Sequence, residues 1–166
     1  MNAPTHPPHP EPDEDGHEDS RERPIDVPVH LLHDAAQPPH YATPGSHGFD
    51  LCTAEAAAIA PGEIALVGTG LVFATPPGWG LLVCLRSSTP RKFGVIQPHA
   101  VGIIDEDYRG PADEVRLQLL NFTASPTTIP AGSRIAQGVF VRAGRARWSL
   151  HEPEQRSRGG FGSTGG

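Results

Sequence analysis

Glycine and proline each fill 19 of the 166 positions, and they fall between short apolar runs. Proline breaks helix interiors, while glycine reaches positive-φ turns without strain. A chain interrupted this often has little room for long helices and favours short strands joined by tight turns. The apolar runs support this, because they alternate with period two. In 114–121, Val115, Leu117 and Leu119 face one way while Arg116 and Gln118 face the other, as in a half-buried antiparallel strand. Val27, Val29 and Leu31 alternate in the same way. Further strands are expected over 49–54, 63–67, 70–74, 80–86, 94–96, 127–129, 134–142 and 146–151. Turn signals recur between them at Pro61-Gly62, Pro76-Pro77-Gly78 and Pro130-Ala131-Gly132. One helical turn fits around Ser87 to Arg91, limited by Pro90. The expectation is an all-β domain of sandwich, jelly-roll or barrel type.

The length suits one domain. Of the formal charge of -6, residues 1–24 carry -5 (seven acids, two arginines), leaving about -1 for the rest. That segment lacks apolar periodicity and is expected to be a disordered acidic arm rich in Pro and His. A near-neutral body behind an acidic arm offers no broad basic face for a long nucleic acid. Cys52 and Cys84 are the only cysteines, both in apolar stretches and without zinc spacing, so they read as small buried hydrophobes. There is no apolar run of membrane-spanning length and no charged leader with an apolar core. A soluble protein of the cytoplasm is expected, with its β body over 25–151 and a Gly-rich arm over 152–166.

Common nucleotide signatures fail. No Gly-Lys dipeptide exists, which excludes a Walker A loop. Gly160-Phe161-Gly162-Ser163-Thr164-Gly165 matches a dinucleotide fingerprint, but no strand precedes it and no helix can follow it. Its backbone can still cradle an anion. Four other clusters stand out: Phe49-Asp50-Leu51, Arg86-Ser87-Ser88, the run from Gly102 through Asp105 and Tyr108 to Gly110, and Arg134-Ile135-Ala136-Gln137. Together they supply a carboxylate for a metal, donors for phosphate, a candidate base and a ring that can stack. That inventory suits attack by water on a phosphate chain.

In order and spacing these clusters resemble the five motifs of the homotrimeric dUTPase family. The motifs appear as Gly48 to Ala54, Arg86-Ser87-Ser88 with Lys92 downstream, Gly102 to Gly110, Gly132 to Gln137, and Arg156 with Gly160 to Gly165. The resemblance spans 25–166 and implies a distorted jelly-roll or β-barrel of short, mostly antiparallel strands. It also implies hydrolysis of dUTP to dUMP and pyrophosphate with Mg2+, which limits uracil incorporation into DNA and supplies dUMP for thymidylate synthesis. By the same resemblance Asp105 is the base that deprotonates the attacking water, and Asp50 holds magnesium through its waters. Arg86, Ser87, Ser88 and Gln137 contact phosphate. Tyr108 packs against the deoxyribose and excludes a 2′-hydroxyl. Backbone groups from His99 to Gly102 read the uracil edge, in a pocket too tight for the 5-methyl of thymine, with His99 standing where the family pattern has Asn. Phe161 stacks on uracil, while Arg156, Gly162, Ser163 and Thr164 gather on the phosphates. Ten residues stretch about 33 Å, so the flexible arm can cross to a neighbouring subunit. The resemblance also implies a homotrimer with active sites at subunit interfaces.

Two rivals remain. A dCTP deaminase, in some cases also cleaving the triphosphate, places a catalytic Glu on the strand after this loop, and Glu114 falls near there. A non-catalytic dUTP sensor would signal to a partner through the acidic arm. Ammonia release separates the first from a dUTPase, and turnover separates the second.

Overall fold

Every strand ladder among residues 24–150 and 152, which the computed structural model describes, is antiparallel. The strands are β1 (Val29–Leu31), β2 (Phe49–Cys52), β3 (Ala57–Ile59), β4 (Ile64–Gly68), β5 (Leu71–Phe73) and β6 (Trp79–Leu85). After one short helix, α1 (Thr89–Phe93), come β7 (Val95–Ile96), β8 (Gly102–Ile104), β9 (Arg116–Asn121), β10 (Thr127–Ile129) and β11 (Arg134–Arg142). They form sheets ordered β2-β11-β6-β8 and β4-β9-β7, with the pairs β1-β5 and β3-β10. This is an all-β fold of distorted jelly-roll type.

The period-two runs sort as their patterns require. Leu117 and Leu119 of β9 are buried with Val115, while Arg116 is exposed. Leu51, Ile59, Leu71, Leu81 and Ile135 complete the core with Leu117 and Leu119, each with 1% or less of its surface exposed. At one end Phe49 packs on Phe73 and Phe140, each with ring centroids 5.6 Å from its own. Gly138 makes this possible, because a Cβ there would lie 2.4 Å from the Phe49 Cζ.

Helix α1 is brief for local reasons. Pro90 sits in its first turn, and Gly94 ends it at φ 64° with its N–H donating to the Pro90 carbonyl. Thr89 ties it to β11 by donating to the Ile135 carbonyl at 2.6 Å. Asn121, fully buried, donates to the Ile59 and Ser125 carbonyls and accepts from Thr123 N–H and Oγ1. It thereby organises the turn from β9 to β10.

Two strands lie outside the runs that alternation marks. β3 falls in an alanine-rich stretch, and β8 is only three residues long. One expected strand is absent. Residues 146–150 form no strand and are exposed, with Trp148 at 87% and Leu150 at 102%; His151 lies outside the described residues. Alternation creates an apolar edge, but a strand also needs a partner ladder, and none of the described residues supplies one. The acidic arm falls on 1–23 except for Pro24, and so lies outside the described residues, as does the Gly-rich arm apart from Glu152.

Candidate active site

β2, β11 and β6 lie side by side, and their register gathers three of the sequence clusters. Asp50 lies opposite Gln137, and Gln137 lies opposite Cys84. Cross-strand partners share a face of a sheet, so Asp50 and Gln137 project together. Arg86 follows the end of β6. Its Nε lies 3.2 Å from the Asp50 Oδ1, and Arg134 Nη1 lies 3.1 Å from the Oδ2. The Asp50 side chain, 9% exposed, is thus held between two guanidinium groups. One carboxylate against two arginines leaves a net positive charge, suited to an anion.

Local irregularity builds this cluster. The β2–β11 register shifts between Arg134 and Ala136, a β-bulge, and bulges re-aim side chains at strand ends. Gly48 gives Gln137 its place, since a Cβ there would meet the Gln137 Oε1 at 3.0 Å. Ser87 and Ser88 stand exposed at the start of α1, with no side-chain capping bond at Ser88. Cys52 lies beside the cluster as a buried free thiol, and burial, reinforced by Asp50, pushes its pKa up. Cys84 is only half-buried.

Asp105 is elsewhere. It follows Ile104, which pairs with Leu81 near the other end of β6. From there to Arg86 is about 17 Å of strand, so one chain does not bring the two together. Asp105 is exposed and borders a groove of about 580 Å³ lined by Trp79, Ile103, Glu106, Asp107 and Arg145 among others. Glu106 helps shape the groove by accepting the Gly78 N–H at 2.8 Å. A second cavity, about 390 Å³ and walled by Tyr41, Phe49, Phe73, Trp79 and Phe140, lies in the aromatic end. Neither cavity is lined by Arg86, Gln137 or His99.

The segment after β8 is no hairpin, because β8 pairs with β6 while β9 belongs to the other sheet. It crosses between sheets through turns. The Tyr108 N–H donates to the Asp105 carbonyl, and Asp113 accepts the Gly110 N–H. Tyr108, 40% exposed, donates from its hydroxyl to the Glu114 carbonyl at 3.1 Å. His99 and Gly102 come together at the start of β8. A Cβ on Gly102 would lie 3.6 Å from the His99 Nε2. In that turn the Ala100 and Val101 N–H groups are already used, donating to the Gln97 and His99 carbonyls. Arg156, Phe161, Gly162, Ser163 and Thr164 lie outside the described residues.

The family model for dUTPase matches residues 34–165. The chain belongs to the dUTPase family. A deoxyuridine 5'-triphosphate nucleotidohydrolase of Wolinella succinogenes is 43% identical over 138 residues, covering 81% of this chain and 90% of that protein. One of Thermobifida fusca is 42% identical over 132 residues, covering 77% and 72%. Among solved structures, the dUTPase of Streptococcus mutans has TM-score 0.67 at 32% identity, covering 72% of this chain and 98% of that one. A mutant dUTPase of Staphylococcus bacteriophage 80alpha shares the fold, with TM-score 0.75 at 23% identity.

Against this family site, the carboxylate that a deaminase would use is engaged elsewhere. Glu114 accepts the Gly70 N–H at 2.8 Å and pairs with Arg116 at 2.7 Å. Arg134 is the residue whose part sequence reasoning missed. It stood inside a cluster already singled out, but only the bulge reveals that it reaches Asp50. Among the described residues no three His, Cys, Asp or Glu side chains come together to cage a metal. None of the described helices is long and apolar enough to cross a membrane.

Proposed function

We propose that the chain hydrolyses dUTP to dUMP and pyrophosphate at a site assembled between copies of itself, Asp105 coming from one and the Asp50–Arg86–Arg134 cluster from another. The observation that carries this reading is the separation of Asp105 from Arg86 along β6. Each end holds half of what the reaction needs. A homotrimer supplies three such sites by closed symmetry. The exposed alternation of Ala146, Trp148 and Leu150 fits an edge that docks on a neighbour.

Asp105 accepts a proton from water as the water oxygen bonds to the α-phosphorus. The bond from the α-phosphorus to the bridging oxygen breaks, leaving dUMP and pyrophosphate. Being exposed and free of side-chain partners among the described residues, Asp105 works by position. Arg86 and Arg134 hold the phosphate chain, oriented beforehand by Asp50, with Ser87, Ser88 and Gln137 adding donors. The cluster alone is net positive, so a magnesium ion would join it only together with the phosphate chain, keeping most of its water and binding through few carboxylates plus phosphates. Asp50, whose oxygens retain lone pairs beyond the two arginine bonds, would hold it through water, and the ion would neutralise phosphate charge.

Tyr108 closes the sugar site against ribonucleotides, and His99 with Gly102 borders the base. Arg156, Phe161, Gly162, Ser163 and Thr164 form the arm over 152–166 that closes on the nucleotide. The body spans 25–151, after the acidic arm over 1–24. Two free thiols fit a cytoplasmic setting. No broad contact with nucleic acid or membrane enters the reading. Asp105→Asn tests the base directly: dUTP binding is retained while turnover falls at least a hundredfold. Unchanged turnover overturns the assignment.

A further inference from the structure

Gln97 is 9% exposed, follows β7 and has one unpartnered buried atom, its Oε1. Its Nε2 lies 3.2 Å from the Val83 carbonyl and 3.2 Å from the His99 Nε2. The carbonyl can only accept, so the nitrogen end of the amide must face it. The second amide hydrogen then points to His99. An amide N–H facing an imidazole nitrogen requires that nitrogen to be unprotonated. Nε2 is therefore the acceptor, and the neutral ring carries its proton on Nδ1.

We infer that Gln97 is a positioning residue that holds His99 as the Nδ1–H tautomer, and that this donor selects a 4-oxo pyrimidine over a 4-amino one. The inference rests on the proposed base site and deepens it. His99 is exposed, and its Nδ1 bonds to none of the described residues. Gly102 lies against the pair, since a Cβ there would be in van der Waals contact with both, 3.4 Å from the Gln97 Nε2 and 3.6 Å from the His99 Nε2. The turn carrying His99 places Ala100 at φ 65° and consumes the Ala100 and Val101 N–H groups internally. The side chain of His99 then adds a donor for the base. Uracil presents a carbonyl at position 4, which accepts from Nδ1–H. Cytosine presents an amino group there, and two donors face each other. Sites built on a hydrogen bond reject the mismatched group far more strongly than apolar pockets do.

The test uses the full chain. Nitrogen-15 spectra of the histidines, taken above the pH range where imidazole is charged, report the His99 tautomer in the free protein. Turnover of dUTP and dCTP gives the ratio of kcat/KM. Wild type is expected to show Nδ1–H. Gln97→Leu drifts toward Nε2–H and lowers the dUTP-to-dCTP ratio about tenfold, the worth of one hydrogen bond. Gln97→Glu accepts from Nε2–H, reverses the tautomer and lowers the ratio further. In a His99→Asn background, Gln97→Leu leaves the ratio unmoved, which a purely structural role would not produce. An Nε2–H tautomer in wild type, or a ratio unchanged in both Gln97 variants, overturns the inference. Absence of dUTP turnover in wild type sinks the functional reading instead, and the tautomer measurement still decides the role of Gln97.

Discussion

Mixing two inactive variants gives the sharpest mutational test of a shared site. Asp105→Asn lacks the base and Arg86→Ala lacks a phosphate contact, so neither turns over well alone. About 17 Å of strand separates Leu81, which pairs with the residue before Asp105, from Arg86, while the longest arginine reach is only a fraction of that. If each site takes Asp105 from one subunit and Arg86 from its neighbour, some mixed sites are intact. In an equal, random mixture the subunit giving Asp105 is unmutated there half the time, and likewise the subunit giving Arg86. About one quarter of sites are then wild type, provided assembly is a closed symmetric ring. Co-unfolding and refolding the variants, or expressing them together, followed by pyrophosphate release from dUTP, reads this fraction. Recovery near one quarter of wild-type activity is expected. A mixture no more active than the sum of its parts refutes the shared site.

Gly138→Ala forces a methyl into the Phe49 ring, which is already packed on Phe73 and Phe140. Urea unfolding is expected to show a loss of about 1–3 kcal/mol. Glu114→Ala leaves the Gly70 N–H without its partner and costs about 1–3 kcal/mol. Turnover of dUTP per folded molecule persists, and neither wild type nor variant releases ammonia from dCTP. The Cys52 pKa is raised by folding, so the unfolded chain gives up that proton first as pH climbs. Its contribution to stability is whole below the ordinary thiol value of 9.0 and is lost as pH rises beyond it. Melting curves of Cys52→Ala are expected to lack that part of the alkaline decline.

Much of the fold was legible because alternation and turn chemistry are local. β9 and β11 were readable from side chains that must face a core, and the brevity of α1 from Pro90. Pairing is not local, and there sequence reasoning stopped. Ala57–Ile59 looks like helix-forming alanine, yet it pairs with β10 and becomes a strand. Ala146 to Leu150 alternates but finds no partner among the described residues. In the site, Asp50, Arg86, Gln137 and Asp105 were visible as residue types that phosphate chemistry needs. What no motif contains is their distance. The register of β6 puts Asp105 and Arg86 at opposite ends, and the bulge in β11 brings Arg134 to Asp50. Gln97 was invisible for a similar reason, since only burial separates a buried positioning amide from an ordinary surface one.

The most direct measurement is pyrophosphate release from dUTP, run beside dCTP, dTTP and UTP, with and without magnesium. Fast, magnesium-dependent release from dUTP alone is expected. Release from several of these nucleotides would preserve the phosphate chemistry and contradict the base and sugar selection assigned to His99, Gly102 and Tyr108. No release from any would contradict the central claim and leave a protein that binds the nucleotide without cutting it.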